Sequence, residues 1–155
     1  MKVKVTPSKV HGNVKIPASK SMAHRALICA SLSDGTSIVS NVTNSKDIEA
    51  TVGCMKALGA KIKQLDETTY EVTGTNLFKQ EGNITCNANE SGSTLRFLIP
   101  LAACTNAKVK FLGQGRLLQR PMDVYANEFK EQNIEFNQSD QEIIVSGNLK
   151  AEDYV

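Results

Sequence analysis

Cations stand where this chain's helices should begin. In Pro17-Ala18-Ser19-Lys20-Ser21-Met22-Ala23-His24-Arg25, two hydroxyls, a lysine and an arginine occupy a turn between a short β-type run and an apolar helical pattern. A helix N-terminus carries about half a positive charge and normally prefers Asp or Glu in its first turn. Lys20 and Arg25 with no acid beside them suit a bound anion instead, gripped by backbone N–H groups, hydroxyls and cations together. Arg96 stands near the start of a later helix that opens at Ser91-Gly92-Ser93, where Gly92 leaves room for a ligand against the backbone. Arg116 and Arg120 precede a further helix that Pro121 should begin. Three of four helix starts thus combine free N–H groups with cations, which points to a cleft for a small polyanion bearing phosphate or carboxylate groups. Glu90 is the one acid near these starts. His24 is expected to pack or face solvent, and His11 and the cysteines to be incidental, so the set offers binding without acid–base machinery.

The rest of the composition narrows the class. With 155 residues, 41% of them hydrophobic and 22% charged, the chain is one soluble globular domain's worth of sequence. A net charge of +2 without a basic run argues against nucleic acid as a partner. No apolar stretch is long enough for a membrane span, and the start lacks a signal peptide's apolar core. Cys29, Cys54, Cys86 and Cys104 stand apart with no C-x-x-C pair, so reduced thiols, a cytoplasmic location and no metal site are expected.

Strands are expected at Lys2–Val5, Val14–Ile16, Thr36–Val42, Lys61–Leu65 and Tyr70–Thr73, then at Ile84–Cys86, Lys108–Leu112, Ile134–Phe136 and Glu142–Val145. Ser19 or Ser21 should cap a first helix with the stripe Met22, Ala26, Leu27, Cys29 and Ala30. Asn44 or Ser45 should cap a second with Ile48, Val52, Met55 and Leu58 on one face. Pro100 lies inside the third helix and must kink it or strand the carbonyl of Arg96. Met122, Tyr125 and Phe129 form the apolar face of the fourth. The pattern repeats: Arg25-Ala26-Leu27-Ile28 aligns with Arg96-Phe97-Leu98-Ile99, and Ile38 with Val109, at an offset of 71; Val72-Thr73-Gly74 aligns with Val145-Ser146-Gly147 at 73. The chain is therefore expected to be α/β (α+β), with two repeated βαβαββ subdomains at 14–74 and 83–147.

Three segments resemble the signatures of the 5-enolpyruvylshikimate-3-phosphate synthase (3-phosphoshikimate 1-carboxyvinyltransferase) family. Ser19 to Arg25 is similar to S-K-S-x-x-x-R, Glu90 to Arg96 to N-[AS]-G-T-x-x-R, and Arg116 to Met122 to R-[ML]-x-x-R-P-[IM]. The resemblance covers the whole chain. It implies the N-terminal part of an inside-out α/β barrel, incomplete here, in an enzyme of the shikimate pathway of aromatic amino acid and chorismate biosynthesis. The implied reaction moves the enolpyruvyl group of phosphoenolpyruvate to the 5-hydroxyl of shikimate 3-phosphate, with release of phosphate and no metal or organic cofactor. By position, Lys20 would contact both substrates, Ser21 and Arg25 shikimate 3-phosphate, and Gly92 and Arg120 phosphoenolpyruvate, with Arg96 as a supporting charge.

Two departures qualify what the resemblance implies. Glu90 stands where the family's second signature has Asn, although Asn89 could supply the amide by a one-residue shift. Family members are more than twice as long, and their catalytic Asp, a Glu and further cationic ligands belong to a part that would follow Val155. No catalytic residue is therefore expected within these residues, and the chain alone is expected to be inactive, to bind substrates weakly and to self-associate through open sheet edges. Full-length members are expected to be monomers. The sister transferase acting on UDP-N-acetylglucosamine carries Lys-Asn where this chain has Lys20-Ser21, and a loop cysteine that the 116–121 stretch lacks. A non-catalytic phosphate- or carboxylate-binding module is the alternative from another class.

Overall fold

Three serines start three of the helices. Ser19, Ser45 and Ser91 each sit in extended backbone and accept a hydrogen bond from the N–H three residues on, satisfying a donor that the first turn leaves free. In the computed structural model, which describes residues 2–9, 11–14 and 16–151, they open helices α1 (Lys20–Leu32), α2 (Lys46–Ala57) and α3 (Gly92–Ala102). Helix α4 (Asp123–Glu131) follows Met122 without a side-chain cap.

Strands β1 (Thr36–Val39), β2 (Lys61–Gln64) and β3 (Tyr70–Thr73) form an antiparallel sheet in the order β1-β3-β2. Strands β4 (Glu81–Asn87), β5 (Asn106–Leu112), β6 (Glu135–Gln138) and β7 (Glu142–Ser146) form a second, in the order β4-β5-β7-β6. Within it β4 runs parallel to β5, a pairing that needs a long crossover, and α3 supplies it. Helices α1, α2 and α3 pack on one another, and α2 also packs on β4, which joins the halves. The core is one contiguous, mainly aliphatic hydrophobic cluster in which Leu27, Ile48, Met55, Leu95, Leu98, Ile99, Val109, Phe111 and Ile143 are fully inaccessible.

The structure departs from the sequence reading at four places. First, α1 buries Ala23, His24, Leu27, Ile28, Ala30 and Ser31, while Met22, Ala26 and Cys29 are exposed. The buried face includes two polar residues because each has a partner, Thr51 for His24 and the Leu27 carbonyl for Ser31. Second, no strand forms over Lys2–Val5 or at the described residues 14 and 16. Val3, Val5, Val14 and Ile16 are exposed, and strand propensity is realised only against a partner that buries one face. Third, Ile38 points outward and Val109 inward. Val72 pairs with Ser37 and Val145 with Val109, so the matching offset for that strand is 72, and a slip of one residue exchanges the faces. Fourth, Pro121 precedes α4 rather than opening it, and that helix starts on Asp123, the ordinary dipole arrangement.

Pro100 lies within α3, as expected, and the chain resolves the cost across an interface. The Arg96 carbonyl that the proline leaves without its helical donor accepts a hydrogen bond from the Tyr125 hydroxyl of α4 at 3.0 Å. Tyr125→Phe is therefore expected to lower the unfolding free energy by about 1 kcal/mol in urea titrations. An unchanged midpoint would mean that the bond contributes nothing.

Candidate functional site

The starts of α1, α2 and α3 converge with the loop 113–121 on one open cleft of about 400 Å³, to which Lys20, Asp47, Glu90, Gly92, Ser93, Arg96, Phe97 and Arg120 contribute. The first turns of α1 and α3 hold no acid, so their free N–H groups and positive ends face the cleft uncompensated.

Each cation is positioned differently. Lys20 Nζ lies 2.6 Å from Asp47 Oδ2 of α2, an ion pair at the mouth of the cleft. Arg120 is set by its backbone: its N–H donates to the Leu117 carbonyl at 3.2 Å, and Gln138 Nε2 of β6 donates to the carbonyls of Leu118 (2.6 Å) and Arg120 (2.9 Å). Leu117, Leu118 and Met122 anchor the loop in the core. The guanidinium of Arg120 then lies against Gly92, where an added Cβ would be 2.3 Å from Nη1. Only glycine lets this cation rest on the start of α3. Arg120 thus serves α3, not the helix that follows it in sequence.

Behind the cleft runs a buried chain of hydrogen bonds. His24 Nδ1 is 2.7 Å from Thr51 Oγ1, which is 2.7 Å from Thr94 Oγ1, which is 2.7 Å from Ser91 Oγ, the cap of α3. Both threonine hydroxyls also lie 3.3 Å from the Asp47 carbonyl. The network ties α1, α2 and α3 together directly beneath Lys20, Asp47 and Gly92, and it holds the helix starts in register with one another.

His24 Nε2 is buried and has no hydrogen-bond partner among the described residues. Burial lowers the His24 pKa from the usual 6.5, opposed by the charge of Asp47 and reinforced by Lys20 and Arg25. The folded chain therefore keeps the ring neutral, and as pH falls below about 6.5 the unfolded chain takes up the proton first. Stability from this group is fully present above that pH and is lost on acidification. Thermal unfolding followed from pH 7.5 to 5 should show a falling midpoint, and His24→Gln should flatten the slope; equal slopes in the two proteins would contradict the assignment.

Of the residues singled out in the sequence, the structure brings together Lys20, Gly92, Arg96 and Arg120. Ser21 and Arg25 do not line the cleft. Arg25 donates from Nη1 to the Ser21 carbonyl at 3.0 Å and lies 5.0 Å over the ring of Phe97, supporting that wall from outside. Arg116 borders a neighbouring recess with Gln119 and Pro121. Glu90, and not Asn89, faces the cleft. Asp47, Ser93 and Phe97 are lining residues that the sequence reading did not identify. In sequence Asp47 obeys the ordinary dipole preference at the start of α2, and nothing local links it to Lys20 across 27 positions.

Comparison with known proteins gives this arrangement its place. The fold matches solved EPSP synthase structures from Acinetobacter baumannii, with TM-scores of 0.78 and 0.76 over 92% and 88% of this chain, at 19% and 18% identity. In sequence the chain is 46% identical over 155 residues to a 3-phosphoshikimate 1-carboxyvinyltransferase from Clostridium perfringens strain SM101, and 43% identical over 165 residues to one from Clostridioides difficile strain 630. Residues 4–152 match the family model for EPSP synthase (3-phosphoshikimate 1-carboxyvinyltransferase). The chain belongs to that family. It covers 36% of the Clostridium perfringens protein's length and 37% of the Clostridioides difficile one's.

Proposed function

We propose that this chain supplies one wall of the substrate site of an enzyme that transfers the enolpyruvyl group of phosphoenolpyruvate to the 5-hydroxyl of shikimate 3-phosphate. The observation that carries the reading is the convergence of Lys20, Arg96 and Arg120 with the acid-free starts of α1 and α3 on one cleft. Both substrates are small phosphorylated carboxylates, the ligand class such a cleft suits. Lys20 contacts both. Gly92 through its backbone N–H and Arg120 hold phosphoenolpyruvate, and Arg96 adds a supporting charge; Ser21 and Arg25, on α1 beside the cleft rather than in its lining, hold shikimate 3-phosphate only once Arg25 leaves the Ser21 carbonyl and the Phe97 ring. The same cations stabilise charge that develops on the phosphate as it leaves.

Proton transfer is a different matter. The acids lining the cleft are Asp47, held in an ion pair by Lys20, and Glu90, and among the described residues neither is hydrogen-bonded to a histidine or a second carboxylate. The 155-residue chain alone therefore binds the substrates weakly and does not turn them over. Phosphate release from a mixture of the two substrates should stay at background, and isothermal titration with shikimate 3-phosphate should give weak heats that Lys20→Ala abolishes. Turnover that disappears in Lys20→Ala would overturn the inactivity of the chain. Heats that survive that substitution would overturn the assignment of the cleft.

A further inference from the structure

Glu90 brings a negative charge into a cleft otherwise fitted for anions. It sits in the turn before α3, where the Ser91 N–H donates to the Ala88 carbonyl at 2.8 Å, Asn89 takes a left-handed φ of 49°, and the Gln114 N–H donates to the Asn89 carbonyl at 2.6 Å. This turn directs the carboxylate across to the opposite loop. Its Oε1 lies 2.9 Å from where a Cβ would stand on Gly115, itself at φ +59°. The loop thus has no side chain at the one place where the acid lies down.

The charges around it are unbalanced in an informative way. Lys20, Arg96 and Arg120 share the lining of the cleft with Asp47 and Glu90. Asp47 is neutralised by Lys20 at 2.6 Å, whereas among the described residues no cation lies within ion-pair distance of Glu90. The backbone bonds of the turn do not involve the Glu90 side chain, and the residue is exposed, so packing does not demand an acid here. An unpaired carboxylate beside an anion site costs affinity, and the cost grows with the ligand's charge.

Resting on the reading of this cleft as a site for phosphorylated carboxylates, we propose that Glu90 is its specificity-determining residue. Its carboxylate offsets part of the attraction of Lys20, Arg96 and Arg120, and the offset grows with the charge on the anion, so the cleft still takes phosphorylated carboxylates but grips them less tightly than its three cations alone would. Across a few ångströms of partly solvated cleft, the penalty is roughly three- to tenfold in affinity per unit of ligand charge. It weakens as salt screens the pair.

The test is a charge ladder. The 155-residue chain and its Glu90→Gln variant are titrated at pH 7.5 and low salt with acetate, inorganic phosphate and phosphoenolpyruvate, following the Gly92 amide by NMR. The expected result is a gain in Glu90→Gln that rises along that series, from roughly threefold for acetate to tenfold or more for the phosphates, and that shrinks at high salt. An equal gain for all three ligands, no gain, or no saturable shift with any of them overturns the proposal. A graded gain for acetate and phosphate, with no saturable response to phosphoenolpyruvate or shikimate 3-phosphate, leaves Glu90's role standing and overturns the substrate reading. Saturable, Lys20-dependent phosphoenolpyruvate binding with a uniform gain does the reverse.

Discussion

Alanine at Gly74 is expected to lower the unfolding free energy of this chain by about 3 kcal/mol, the upper end of the usual cost of overpacking. Gly74 follows β3 and passes beneath the C-terminal end of α1. Its N–H donates to the Gly35 carbonyl at 3.0 Å, and the next N–H, of Thr75, donates to the Ser31 carbonyl at 2.8 Å. An added Cβ would stand 1.8 Å from the Ser33 carbonyl oxygen and 3.3 Å from that of Ala30. These are backbone atoms, held by the β1–β3 pairing on one side and by the helix on the other, so neither side can yield by a rotamer change. Relief requires α1 to tilt, and α1 carries Lys20 at its other end. The control is Gly53→Ala in the middle of α2, where an added Cβ meets nothing within 4 Å. There the substitution should stabilise by roughly 0.5–1 kcal/mol through helix propensity. Urea titration of both variants decides the matter, and equal midpoints for the two would contradict the close approach.

Arg120→Ala is expected to weaken phosphoenolpyruvate binding by roughly ten- to a hundredfold, the loss of one charge-assisted hydrogen-bonding group. Gln138 fixes the backbone of Arg120 from β6, and the guanidinium lies over Gly92, so its position is set before any ligand arrives. Gly92→Ala is a second route to the same defect. It keeps the charge but pushes the flexible end of Arg120 off the start of α3, because the new Cβ would meet Nη1 at 2.3 Å. Arg120→Lys should rescue only partly, since an ammonium is a point charge without the planar fork. Titrations followed at the Lys20 amide should show the order wild type, then Arg120→Lys, then Arg120→Ala. Wild-type affinity in Arg120→Ala would remove Arg120 from the site.

Much of this structure is legible in the sequence where local chemistry decides. Ser19, Ser45 and Ser91 are sound caps because a hydroxyl before a helix satisfies the same donor wherever the helix sits. The stranded Arg96 carbonyl follows from Pro100 alone, although the remedy, Tyr125, belongs to another helix. What failed is what depends on partners. Met22 is more apolar than His24, yet Met22 is exposed and His24 buried, because Thr51 offers His24 a hydrogen bond. Val14 and Ile16 have strand-forming side chains, yet both are exposed and neither lies in a strand of the described residues. The one-residue error at Ile38 arose because a β-strand's face is set by pairing register, which aligning the halves by arginine position does not supply.

The candidate site divides the same way. Lys20, Gly92, Arg96 and Arg120 could be picked out because each contradicts the dipole preference or offers space at a helix start. Asp47 could not, because at the start of α2 it obeys that preference, and only the fold sets it against Lys20. Arg120 was identified as a cation but assigned to the wrong helix, since proximity in sequence put it at α4 while the loop turns it onto α3. The proposed duplication of 14–74 and 83–147 explains why Arg25 and Arg96 stand at equivalent positions, yet the two residues differ in use. Arg96 lines the cleft, while Arg25 braces Phe97.

The central claim is that Lys20, Gly92, Ser93 and Arg120 form one site for a phosphorylated carboxylate. It is tested most directly by titrating phosphoenolpyruvate into isotope-labelled chain and mapping which backbone amides respond. The account expects a saturable, millimolar-range response at Lys20, Gly92, Ser93 and Arg120 that follows a single binding curve and is absent in Lys20→Ala. Saturable shifts centred elsewhere, for instance on the outer face of the second sheet around Ile84 and Lys110, or no saturable shift at these four residues, would contradict it.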